Sequence, residues 1–139
     1  MSLTEDDRVF IKRVLNEAKK IFEILASKVA LEKHTYEDLL VIRYSIIQIV
    51  ETISIIATKI ASRLGYVIEG YVEAMRFLVK QGIVDEELGE ELVRLARLRN
   101  LLVHRYWEVD DYRVLREARS SGLKVIERVL NELQRLVEG

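Results

Sequence analysis

Eight consecutive residues, Arg99-Asn100-Leu101-Leu102-Val103-His104-Arg105-Tyr106, bring together an arginine, an amide, an imidazole and a phenol. His104 is one of only 2 histidines in the chain. Histidine, with an unperturbed pKa of roughly 6.5, gives and takes protons near neutrality. Wound on a helix at about 100° per residue, Leu98, Leu101 and Leu102 share one arc and turn inward. Arg99, Asn100 and His104 spread over the opposite arc, with Asn100 and His104 one turn apart. Tyr106 falls near the expected helix end, where its hydroxyl can reach outward. Arg94, Arg97 and Arg105 make this the densest basic cluster of the chain, and Glu108, Asp110 and Asp111 close it off.

The chemistry open to such a set follows from the side chains. Arginine pairs bidentately with phosphate and stabilises charge growing in a transition state. Histidine serves as general base or acid, an effect of about 10²–10⁴ in rate. Asparagine can orient either. These are the parts of a metal-independent ribonuclease in which the ribose 2′-OH is the nucleophile, leaving a 2′,3′-cyclic phosphate and a 5′-OH. Cleavage of this kind wants both a base and an acid, and one chain offers one histidine here. An isologous two-fold interface doubles every group near its axis, so this reading requires a homodimer with a composite site. On the residues alone a plain helical interaction module is the stronger alternative, because Arg, Asn and His on a helix surface are commonplace.

Other candidates are weaker. His34 lies in an expected turn and reads as ordinary surface. The acidic pairs Glu86-Glu87 and Glu90-Glu91 read as the solvated start of a helix. The lone Trp107 reads as a core or interface anchor before a base-stacking platform. Without cysteine, and without two histidines at ligand spacing, no metal site is expected, and no glycine-rich phosphate loop is present. No cofactor is expected.

The elements that must hold the motif are helices. The chain has 139 residues, no proline and 6 glycines, too few turn formers for a sandwich or barrel. Its length predicts a single domain over 1–139. Thr4 with Asp7, and Thr35 with Asp38, are N-cap signals. The first begins a helix with Phe10, Val14, Ala18, Ile21, Leu25 and Val29 at helical spacing, ending near Glu32 to His34. The second runs to about Leu64, with Gly65 as its stop. Along this second helix Tyr44, Gln48 and Glu51 form a polar stripe, either a solvated seam or a wall facing a site or a partner. A third helix spans about Glu69 to Gln81, closed by Gly82. A fourth starts at the cap Asp85 and runs to about Arg105. A fifth starts at Asp110 or Asp111 and buries Val114, Ala118, Val125, Val129, Leu133 and Leu136, with an interruption at Ser120-Ser121-Gly122. Short connections make neighbouring helices antiparallel. The fold class is therefore all-α, an antiparallel four- or five-helix bundle.

Composition narrows the partners. Hydrophobic residues make up 50% and charged residues 32%, with 22 basic against 23 acidic side chains. A generic nucleic-acid coat would carry a basic excess, so any RNA contact must come from a local patch. The run from Leu39 to Ile60 is apolar but holds Arg43, Gln48 and Glu51, which a lipid-facing span tolerates poorly; no membrane association is expected. The start, MSLTEDDRVF, shows no signal-peptide pattern, and the absence of cysteine fits the cytoplasm. High charge with few thermolabile residues leans towards a thermophile.

The segment from Ala96 to Asp111, ARLRNLLVHRYWEVDD, closely resembles the HepT family of HEPN-domain toxins. That family carries arginine, four intervening residues, histidine, any residue, then tyrosine; Arg99, His104 and Tyr106 match it, and Asn100 matches the usual residue after the arginine. Arg43, Glu51, Gly65, Tyr71 and Gly82 also sit where the family pattern places them. One departure is Ile68-Glu69-Gly70, where the family often has a proline before the equivalent of Tyr71. The resemblance implies a dimeric HEPN bundle whose two motifs meet in a cleft, with Arg99 and His104 catalytic, Asn100 in support, and Arg43 and Glu51 as second-shell or interface residues. It implies an RNA substrate and a minimal nucleotidyltransferase antitoxin that transfers AMP from ATP to Tyr106 and so silences the toxin. The alternative it leaves is a non-catalytic binding or regulatory subunit of a nucleotidyltransferase complex.

Overall fold

Capping signals and apolar periodicity translate into helices nearly where they occur. The computed structural model describes residues 3–138. Its elements are α1 (Glu5–Val29), α2 (Tyr36–Arg63), α3 (Tyr71–Lys80), α4 (Glu86–His104), a single 3₁₀ turn (Tyr106–Glu108), α5 (Asp111–Glu117), a π-helical segment (Ala118–Gly122) and α6 (Leu123–Glu138). Among the described residues there is no strand. The expected fifth helix is thus α5 and α6 joined through a π segment, which falls on the Ser120-Ser121-Gly122 interruption. The expected all-α antiparallel bundle is the observed architecture. Helix α1 packs along α2, α2 against α3 and α4, α3 against α4, and α6 returns against α1.

Both capping boxes form. The Thr4 hydroxyl accepts from the Asp7 amide at 3.1 Å, and the Thr35 hydroxyl from the Asp38 amide at 3.1 Å. At the other ends, Gly65 and Gly82 have φ of +72° and +70°. Each follows a helix whose last carbonyls are taken up by the glycine and the next residue: the Tyr66 amide bonds the Ala61 carbonyl and the Ile83 amide bonds the Leu78 carbonyl, both at 2.9 Å. Only a residue without Cβ adopts that left-handed geometry at little cost.

Two boundaries differ from the sequence expectation. Helix α1 stops at Val29, where side chains join the backbone in bonding the terminal carbonyls: His34 Nε2 donates to the Lys28 carbonyl at 2.7 Å, and Arg119 donates to that of Val29 and to that of Leu31 just beyond the helix. His34 is therefore part of a helix terminus and not idle surface. Helix α3 begins at Tyr71, since Gly70 stands outside helical geometry at φ 149°.

Helix α2 is the central element. It is long and apolar enough, by length and composition, to cross a membrane, yet Ile49, Ile53, Ile56 and Ile60 are fully buried by neighbouring helices. It is anchored at its far end by Asp7, a fully buried carboxylate that accepts two hydrogen bonds from Arg63, at 2.6 and 2.9 Å. The Arg63 guanidinium holds that carboxyl well below the usual carboxylate range.

Candidate active site

Three elements position the motif. Asp85 caps α4, its carboxylate accepting from the Leu88 amide at 2.7 Å, and the helix then runs unbroken through Arg99 and Asn100 to His104. Leu102 is buried and Leu98 and Leu101 are partly buried, so this arc faces inward as the spacing requires. Arg105 leaves helical geometry at φ −138°. The 3₁₀ turn carries Tyr106 and Trp107, and Asp110 caps α5 by accepting from the Arg113 amide at 3.2 Å.

Arg43, on α2, fastens this turn. Its Nε and Nη2 each donate to the Asp111 carboxylate at 2.7 Å, and its Nη1 donates to the Tyr106 carbonyl at 3.2 Å. The pair is largely shielded, with 12% and 14% of the two side chains exposed. The bidentate bond to Asp111 raises the arginine's pKa further. Arg43 therefore fixes the backbone on which Tyr106 stands.

Arg99 departs from the helical-wheel expectation of an outward side chain. It turns back into the seam between α2 and α3, with 13% of its side chain exposed. Its guanidinium lies 4.1 Å from the centroid of the Tyr71 ring, a cation–π stack. Nη1 donates to Asn100 Oδ1 at 3.2 Å, and Nη2 reaches Glu51 Oε1 at 3.5 Å. Nε is buried and has no partner among the described residues. Tyr71 was legible only as a match to a family pattern; its contact with Arg99 spans two helices, and spacing along one helix cannot reveal it. The polar stripe on α2 resolves into two parts. Gln48 donates to the Tyr44 hydroxyl at 2.9 Å, and Glu51 faces Arg99.

His104 is exposed at the end of α4. Tyr106 is 58% exposed, and its hydroxyl has no hydrogen bond among the described residues. Trp107 is 68% exposed and meets Tyr106 edge-on, with centroids 5.3 Å apart. It is therefore no core residue of this chain, because the 3₁₀ turn swings it away from the bundle. On α2, Tyr36, Leu40 and Tyr44 form an exposed stripe at helical spacing. Arg43 stands beside that stripe and reaches the motif turn. Within one chain His104 and Tyr106 stand exposed, while Arg99 is shielded in the seam between α2 and α3. Among the described residues no group of three His, Cys, Asp or Glu side chains is placed to hold a metal ion.

Comparison with known proteins agrees with this architecture. The family described as "Ribonuclease HepT-like" matches residues 11–133. A protein of Archaeoglobus fulgidus described as "Putative RNase" is 35% identical over 96 residues, covering 67% of this chain and 73% of the relative. The bundle superimposes on the cytosolic protein YutE of Bacillus subtilis with a TM-score of 0.80 at 18% identity, covering 95% of this chain and 91% of that one. It superimposes on a tri-AMPylated Shewanella oneidensis HEPN toxin, solved in complex with an MNT antitoxin, with a TM-score of 0.75 at 14% identity, over 95% and 99% of the two chains. With the family model spanning residues 11–133 and a relative 35% identical over 67% of its length, the chain belongs to the HepT-like ribonuclease family.

Proposed function

We propose that this protein is a metal-independent endoribonuclease toxin that acts as a homodimer in the cytoplasm. In this reading residues 1–139 form one HEPN-like domain. Arg99 and His104 are catalytic: His104 moves the proton of the ribose 2′-OH or of the leaving 5′-oxygen, and Arg99 stabilises charge on the phosphate. Asn100 supports Arg99 through the bond they share. Glu51 and Tyr71 hold the guanidinium from the other side, and Arg43 holds the turn that follows. The observation that carries the reading is the contrast at the end of α4, where a packed, incompletely bonded arginine and an exposed histidine share one helix end. The homodimer supplies the second proton carrier. The exposed Tyr36, Leu40 and Tyr44, on the helix whose Arg43 reaches the motif turn, give it an apolar surface to bury.

Regulation follows from Tyr106. An exposed phenol with no internal hydrogen bond, next to the histidine, is open to transfer of AMP from ATP by a nucleotidyltransferase antitoxin, the partner with which the Shewanella oneidensis toxin was solved. The bulk and negative phosphate of an adenylate would block the cleft and repel RNA. One observation favours a second reading, a non-catalytic subunit of a nucleotidyltransferase complex: Arg99 is packed away within one chain, as a structural arginine would be.

The two readings separate on total RNA without divalent metal. Purified wild type degrades it and His104→Ala does not; intact RNA under all conditions selects the regulatory subunit. For regulation, mass spectrometry after incubation with the antitoxin and ATP finds added AMP on wild type and none on Tyr106→Phe. Equal modification of both removes Tyr106 from the account.

A further inference from the structure

Between α3 and α4 runs an open groove of about 540 Å³. Its floor exists because Gly89 has no side chain: a Cβ there would overlap the Val79 side chain, so the two helices approach closely. Four cations line it, Arg76 and Lys80 from α3 and Arg94 and Arg97 from α4, against Glu86 and Glu90. This local excess stands on a chain whose formal net charge is −1. The charges are also ordered. The two acids sit on the first turns of α4, and Arg94 and Arg97 follow towards the motif. Arg76 and Arg97 make no hydrogen bond or ion pair among the described residues, and Arg94 meets only Glu91, at 3.3 Å.

The groove leads to the motif. The same two helices meet again where Tyr71, at the start of α3, stacks on Arg99. Arg97 and His104 are two turns apart on one face of α4, about 10 Å along its axis. We propose that this groove seats the phosphodiester backbone of the RNA strand flanking the cut, with Arg76 and Arg97 as its phosphate contacts. The substrate it names rests on the ribonuclease reading above; the binding surface does not. Free donors attract phosphate without reading sequence, and the acids of the first turns repel the strand from the far end, so the polyanion is drawn towards His104.

The test uses the full chain and a fluorescein-labelled 2′-O-methyl oligonucleotide of about 20 residues, which binds but lacks the nucleophile. Anisotropy is measured across a range of salt for wild type and for R76Q/R97Q. Loss of two phosphate contacts lowers the slope of log K against log salt by about 1.4 and weakens binding about tenfold or more. An unchanged slope and affinity overturn the groove. Should the double variant fail to fold by circular dichroism, R97Q alone is expected to lower the slope by about 0.7, and an unchanged slope there is equally fatal. A second arm compares cleavage of the unmodified oligonucleotide with cleavage of a dinucleotide. The ratio of their kcat/KM values falls in the variant if the groove holds flanking strand, and stays at the wild-type value if it does not. If wild type cleaves neither substrate, the ribonuclease reading fails, and the binding arm still decides the groove.

Discussion

Arg43 and Arg99 are the same residue type, equally shielded, at 12% and 13% side-chain exposure, and they do different work. Arg43 commits all three of its nitrogens, two to Asp111 at 2.7 Å and one to the Tyr106 carbonyl. Arg99 has a 3.2 Å bond to Asn100, a 3.5 Å contact with Glu51 and a buried Nε with no partner among the described residues. A planar guanidinium binds carboxylate or phosphate through its fork. On Arg43 that fork is closed by protein. On Arg99 it is held in place by a ring face and an amide while its hydrogen-bonding capacity is only partly used. Shielding is therefore the same for the two arginines, and under the proposed function it is the completeness of the hydrogen bonds that distinguishes the structural Arg43 from Arg99.

The largest expected effects lie on the Arg99 side. His104→Ala should lower RNA cleavage by about 10²–10⁴-fold with little change in Tm, because the side chain is exposed. Arg99→Lys should lower cleavage without rescue, since an ammonium cannot reproduce the fork. Wild-type cleavage by Arg99→Lys would erase the distinction between the two arginines, and wild-type cleavage by His104→Ala would remove His104 from the site. Next comes the Arg43 side. Arg43→Ala leaves Asp111 shielded and unpaired, and should cost about 2–4 kcal/mol of unfolding free energy in denaturant titration. A loss in cleavage without a loss in stability would make Arg43 a site residue after all. Smaller still is Gly89→Ala, which forces α3 from α4 against a stiff β-branched side chain and should cost about 1–3 kcal/mol.

Much of this arrangement was legible in the sequence where the cause is local. Both capping boxes, the Asp85 cap, the Gly65 and Gly82 stops and the break at Ser120-Ser121-Gly122 depend on residues a few positions apart. The motif itself was legible for the same reason, since Arg99, Asn100 and His104 share one helix. What escaped depends on contacts between distant segments. A helical wheel turns Arg99 outward, but Tyr71 and Glu51, on other helices, draw it into their seam. Arg43 and Asp111 are 68 residues apart. The end of α1 at Val29 carries bonds from His34 and from Arg119, which is 90 residues away. Trp107 could not be assigned from its neighbours, because its exposure follows from where Arg43 pins the turn.

The last expected effect is in acid and concerns neither Arg43 nor Arg99. The hydrogen bond from Lys28 holds Asp38 at about 2, and Arg63 holds Asp7 well below the carboxylate range. Unfolded, both carboxylates titrate near about 3.9. As pH falls the unfolded chain binds these protons first, so the stabilisation is complete above about pH 5 and is lost progressively as pH drops through the folded values. Tm measured against pH should be flat near neutrality with respect to these groups and fall below about pH 4. Asp38→Asn should make that fall shallower. An equally steep fall in the variant would remove Asp38 from the acid response.

In the proposed function Arg99 and His104 cleave RNA through its own 2′-OH. The most direct test is mass spectrometry of the ends produced by wild type in the presence of a chelator, on an RNA oligonucleotide and on the same oligonucleotide built entirely from 2′-deoxyribose. The expected products are 2′,3′-cyclic phosphate and 5′-OH ends from the RNA, with no cleavage of the deoxyribose chain. Cleavage of the deoxyribose chain, or 3′-OH ends from the RNA, would contradict it.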